Sequence, residues 1–185
     1  MAFSAGNISG LELGPCNIEF GVSGSELDLG FSKGGVKVAV ESQRIDLTTD
    51  QFGQVVMKQI LVGRTCMVTI PFAESKVSLF ATIIPGASAV TDSVSSDSQK
   101  VIINTPIGLD LLASVAQSLV LTKSVGNTKS SDPNNVFRFF KAAPTGRIEF
   151  SFDLENQRVY EVEFSCFPDS TQDFALGVWG DTLAN

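Results

Sequence analysis

Apolar and polar residues alternate along much of this chain, the period-two signature of strands with one buried face. Cys16, Ile18, Phe20 and Val22 fall on one side, and Asn17, Glu19, Gly21 and Ser23 on the other. Segment 27–31 runs into Lys33-Gly34-Gly35, a turn signal whose glycines can take positive φ. Val36, Val38 and Val40 then alternate with Lys37, Ala39 and Glu41. Strand character fades over 42–47 and resumes over 55–58, with a polar loop tip of Thr48, Thr49, Asp50, Gln51, Phe52 and Gly53 between. Residues 66–70 form another buried strand.

The period changes after this point. Over 74–84, Val77, Phe80, Ala81 and Ile84 share one face at helical spacing, and Leu79 and Ile83 widen the stripe. Glu74 is expected in the first turn, where it suits the helix dipole, and Pro85-Gly86 ends the helix. Serine-rich residues 87–99 read as an exposed loop. Segment 109–121 fits both periods, and we read a short helical turn or irregular segment followed by a strand. Residues 124–135 read as a second loop.

The C-terminal third alternates most clearly. Ile148, Phe150, Phe152 and Leu154 oppose Arg147, Glu149, Ser151 and Asp153. After a turn at 155–157, Tyr160, Val162, Phe164 and Cys166 oppose Glu161, Glu163 and Ser165. The pattern predicts a hairpin with one apolar and one acidic face, followed by a last strand over 174–179. The whole reads as a mostly β chain of about eight to ten strands with one helix, a two-sheet β-sandwich or barrel.

Composition changes this picture in one respect. The 185 residues suit a single domain, yet 43% are hydrophobic and 18% charged, against roughly 25% charged in ordinary soluble domains. Mean hydropathy is +0.20, although no apolar run is long enough to span a bilayer. Burial in a subunit interface is the simplest home for the surplus, since large apolar patches are rarely left exposed on monomers. The net charge of −7 and the scatter of Lys and Arg disfavour direct DNA binding, which needs a basic stripe. They remain compatible with a surface that must not adhere to DNA.

Catalytic chemistry finds little to work with. The chain has no histidine, which excludes Ser-His-Asp and Cys-His constellations and the common imidazole metal sites. Cys16, Cys66 and Cys166 form no CxxC pair and read as reduced, buried thiols. Residues 1–7 lack the charged and apolar regions of a secretory signal, so none is expected.

Glu161 and Glu163, with Glu149 and Asp153 on the paired strand, could be read as glycosidase carboxylates. No aromatic platform accompanies them, and a solvated sheet face explains them without chemistry. Asp46 and Asp50, like Asp169 and Asp173, flank loops but lack the density of a cation-binding loop. Phe52, Phe137 and Phe139 lie beside loops and could anchor an interface. No enzymatic activity, metal or cofactor is expected.

Several segments, taken in order, resemble the tail tube (major tail) proteins of long-tailed bacteriophages. They are Asp28-Leu29-Gly30-Phe31-Ser32-Lys33-Gly34-Gly35-Val36-Lys37-Val38, the loop Asp50-Gln51-Phe52-Gly53, and the helix over 75–84 closed by Pro85-Gly86-Ala87. They continue with Leu119-Val120-Leu121-Thr122, Phe140-Lys141-Ala142-Ala143-Pro144 and Val162-Glu163-Phe164-Ser165-Cys166-Phe167-Pro168-Asp169. The resemblance covers nearly the whole chain.

It implies one tail-tube domain over 1–185 without an additional Ig-like domain, a β-sandwich with one flanking helix. It further implies a structural virion protein, made in the host cytoplasm, whose hexameric rings stack helically into a conduit for DNA ejection. Tape measure, tail tip and terminator proteins are the implied partners, genomic DNA passes through without specific binding, and no membrane is involved. Thr48, Thr49, Asp50, Gln51, Phe52 and Gly53 would then make the ring-to-ring contact. The lumen would be lined by Glu149, Asp153, Glu161 and Glu163, or by the strand carrying Glu19. Two other readings stand beside this one: a carbohydrate-binding β-sandwich module, and a ring or tube protein of a contractile injection system.

Overall fold

A computed structural model describes residues 14–181 apart from 96, 97, 127 and 153. The chain is mostly β, built on one large antiparallel sheet. Strand β1 (Cys16–Gly21) pairs with the short β2 (Leu27–Asp28) on one side and with β7 (Gln117–Val125) on the other. Beyond β7 come β9 (Val136–Glu149), β10 (Tyr160–Phe167), β4 (Lys58–Phe72) and β3 (Lys37–Leu47). Two further strands attach at the side: β8 (Thr128–Lys129) on β7, and β11 (Gly177–Trp179) on β9.

This sheet closes on itself. β2 and β3 stand at opposite ends of the strand order, yet they belong to one continuous run of chain. At its start that run pairs with β1, where the Leu29 amide donates to the Ile18 carbonyl at 2.9 Å. Two residues later it has crossed to β4. The Ala73 amide donates to the Phe31 carbonyl at 2.8 Å, and the Lys33 amide to the Pro71 carbonyl at 2.9 Å. Gly30 makes the switch with φ 89°, a conformation glycine adopts without steric cost.

The rings of Phe20 on β1 and Phe164 on β10 confirm the curvature. Their centroids are 5.3 Å apart in an edge-to-face arrangement, although three strand spacings would separate them by about 14 Å in a flat sheet. The expected sandwich or barrel class with a flanking helix is therefore present.

The closed sheet encloses Ile18, Phe20, Val68, Ile70, Phe72, Leu119, Val162 and Phe164. Helix α1 (Val77–Ile83) joins this core through Leu79 and Ile83. That differs from the expected face, because Val77, Phe80, Ala81 and Ile84 are only half-buried. The helix is also shorter than its apolar period suggests. Lys76 is extended, and the Glu74 carboxylate, expected in the first turn, instead accepts from the Phe31 amide at 3.1 Å and pairs with Lys76.

Other expectations need correction. Residues 42–47, where strand character fades, belong to β3, and the strand expected to resume at Val55 starts only at Lys58. Alternation over 42–47 is weak because that part of the hairpin has no buried face. Part of the serine-rich 87–99 is not loop but a two-stranded sheet of β5 (Ser88–Thr91) and β6 (Gln99–Ile102), set against α1. Segment 109–121 resolves as read, into α2 (Leu111–Ser114) and β7.

In the C-terminal hairpin, β9 begins at Val136 and stops at Glu149. Phe150, Phe152 and Leu154 are therefore not strand residues, and all three are exposed. Phe139, offered as an interface anchor, is core, while Phe137 packs on the core and stacks on Trp179 with centroids 4.3 Å apart. The last strand starts at Gly177 rather than near Phe174.

Candidate interaction surface

The hairpin of β3 and β4 leaves the body of the molecule. Its register runs from Lys37 opposite Thr69 to Leu47 opposite Lys58, with a bulge between Gln43 and Arg44. At roughly 3.3 Å per residue, the eleven residues of β3 span about 35 Å. Every residue of β3 is exposed, and so is nearly all of 58–65 in β4.

Exposure here falls on apolar side chains. Ile45, Val55, Leu61 and Val62 are each at least half exposed, and Val40 is 60% exposed. Ile45 and Ile60 face each other directly across the hairpin. Strand β3 is also the end of the sheet order, paired with β4 alone among the described strands. An eleven-residue edge of unpaired backbone groups is a template for a further strand.

At the tip, Asp50–Phe52 form one 3-10 turn, closed by the Phe52 amide donating to the Thr49 carbonyl at 3.1 Å. Gly53 follows with φ 65°. Thr48, Thr49, Asp50, Gln51, Phe52 and Gly53 thus lie together at the most distant point of the hairpin, all exposed. Phe52 is 62% exposed.

The acidic residues divide into two places. Glu161 lies directly opposite Glu149 across β9 and β10. Arg147 gathers this group, with Nη2 2.8 Å from Glu149 Oε1 and Nη1 3.5 Å from Glu163 Oε1. The hydrogen bond to Glu149 and the charges of Glu149 and Glu163 push the Arg147 pKa above its ordinary value. The face therefore carries three carboxylates and one guanidinium, a less acidic surface than the carboxylates alone suggest. Asp153, the fourth acid expected here, lies outside the described residues. Glu19 is elsewhere, on β1, where the Lys129 ammonium donates to both its oxygens at 2.6 and 2.7 Å.

Two concavities were not legible in the sequence. A cleft of about 500 Å³ runs beneath the hairpin root, lined by Val38, Val40, Cys66, Phe137, Phe139 and Trp179. An apolar groove of about 530 Å³ lies among α1, β6 and the end of β9, with Phe80, Ile84, Val101, Ile148 and Phe150 on its walls. Both join residues from distant segments, so no local pattern marks them.

A third feature was missed for the same reason. Arg138 on β9 donates to Glu26 Oε1 at 3.0 Å and to Ser23 Oγ at 3.1 Å, across the turn after β1. Burial opposes ionisation of Glu26, but the backbone amides and Arg138 that face it prevail and hold its carboxyl below the usual range. This pair fastens the β1–β2 turn to the sheet.

Among the described residues, no three His, Cys, Asp or Glu side chains come together as a metal site. Among the same residues, no helix is long and apolar enough to cross a membrane. Compared with models of known families and with curated proteins, the chain matches none.

Proposed function

We propose that this chain is a tail tube subunit of a long-tailed bacteriophage, assembling as hexameric rings that stack into a conduit for the genome. The observation that supports this reading best is the β3–β4 hairpin. It extends about 35 Å, exposes apolar residues on both strands, and offers a free strand edge. Such a surface is an aggregation liability on a monomer and an asset when copies of the chain cover it.

Pairing the β3 edge with a neighbour would extend one sheet from subunit to subunit. A contact between different patches of two copies closes into a ring or continues as a helix, and both operations are needed for a tube. The tip residues 48–53 would reach the next ring. The face of Glu149, Glu161 and Glu163 would line the channel, where net negative charge keeps DNA mobile.

The test is electron microscopy of the purified protein across a concentration series. Rings or tubes with a central channel are expected. Dispersed single copies at every concentration, with or without the hairpin tip, would overturn the reading.

A further inference from the structure

Two of the three cysteines face each other across the sheet. Cys66 on β4 and Cys166 on β10 are direct partners in the antiparallel register. Both are buried and both are free thiols. Directly opposed residues of antiparallel strands have Cα atoms about 4.5–5.5 Å apart, inside the roughly 4.4–6.8 Å span of disulfides. Their Cβ atoms stand about 4.5–5.5 Å apart, at or just beyond disulfide range. Closure therefore asks for little movement of the backbone.

We propose that Cys66 and Cys166 form a covalent modification site, a dithiol that closes into a cross-strand disulfide by exchange with a small organic disulfide. The inference stands apart from the assembly reading. It rests on register, burial and the cleft beneath the hairpin, which Cys66 lines and from which a small reagent would approach its sulfur.

The two thiols divide the work. A hydrogen bond from Cys166 pulls the Cys66 pKa down, while the same bond and burial push Cys166 up. Cys66 is thus the first nucleophile, because the thiolate is the attacking form. Its Sγ attacks one sulfur of the reagent, the reagent's S–S bond breaks, and one thiolate leaves carrying the bonding pair. That thiolate takes up the Cys166 proton. Cys166 Sγ then attacks the Cys66 sulfur of the mixed disulfide and expels the second half of the reagent as a thiolate, which is protonated by water. The protein is oxidised by two electrons and the reagent is reduced to two thiols. Cys16 lies on β1 opposite Lys123 and so takes no part in the bond, but it is only half-buried and can form its own adduct with the reagent.

The position gives the bond a mechanical meaning. Cys66 is the first buried residue of β4 after the exposed stretch that begins at Lys58, so the bond would pin the hairpin root to β10.

Hydroxyethyl disulfide added to the native protein at mildly alkaline pH tests this. In a Cys16→Ser background, which removes the half-buried third thiol, thiol titration in denaturant should fall from two to none, and the intact mass should drop by two hydrogens. Peptide mapping should join the Cys66 and Cys166 peptides, with reversal by dithiothreitol. Cys166→Val and Cys166→Ser should both stop at a reagent adduct on Cys66; if neither variant folds, the wild-type mapping decides alone. Amide exchange in β4 just before Cys66 should slow several-fold on closure. Persistent Cys66 and Cys166 thiols, a stable adduct on Cys66 while Cys166 is present, or a wild-type link through Cys16 would each overturn the proposal.

Discussion

At the scale of single residues, the seam of the barrel depends on Gly30 and Glu74. A Cβ on Gly30 would stand 2.7 Å from the Glu74 carboxyl and would sit on a backbone with φ 89°. Gly30→Ala should therefore destabilise the fold by about 1–3 kcal/mol, through strain and displacement of Glu74; urea denaturation measures it. Glu74 makes a separate, pH-dependent contribution. Its hydrogen bonds from Lys76 and the Phe31 amide hold its carboxyl below the ordinary value of 4.5. A depressed acid stabilises the folded state above its unfolded pKa, and that contribution fades as pH falls from 4.5 through the folded value. The stability gap between wild type and Glu74→Gln should accordingly be widest near neutral pH and shrink in acid. A gap independent of pH would mean that Glu74 acts only through its shape.

At the scale of elements, the hairpin separates folding from assembly. Its outer part contributes nothing to the core, so replacing residues 48–53 with a tight two-residue turn should leave the melting temperature nearly unchanged while abolishing tubes. Ile45→Glu with Ile60→Lys, an opposed pair of opposite charge, should behave alike, shifting monomer stability by only about 0.5–1 kcal/mol and removing higher species in sedimentation. The same element explains what could be read from the sequence. Alternation was plain in β1 and β10, where Ile18, Phe20, Val162 and Phe164 face a core and their neighbours face water. It was lost over 42–47, because a strand with no buried face has no reason to alternate. It misled at Phe150, Phe152 and Leu154, where the period continues after the ladder has ended at Glu149. The loop 48–53 and the acidic positions Glu149, Glu161 and Glu163 are legible because each belongs to a local pattern. The Arg138–Glu26 pair, the two concavities and the Cys66–Cys166 apposition are not, because each is made by the topology.

At the scale of the whole molecule, the acidic face sets the conduction prediction. Glu161→Lys with Glu163→Lys would replace one ion-pair partner of Arg147 and a second nearby carboxylate with like charge, leaving Glu149 in place. In assembled particles the pair should slow DNA ejection without preventing tube formation, and a fluorescence ejection assay resolves the two effects. Unchanged ejection would place this face on the outside.

The closure of the sheet has one more consequence. The run that leaves β1, crosses at Gly30 and joins β4 is also the run that continues outward as β3. A tug on the hairpin tip therefore travels along covalent chain directly into the seam. Pulled along its length, the hairpin loads in shear the ladder that holds β4 to β10, so many hydrogen bonds share the force; peeled sideways, it yields them singly. The molecule is strong along the hairpin and weak across it, the anisotropy of a fibre built into one subunit.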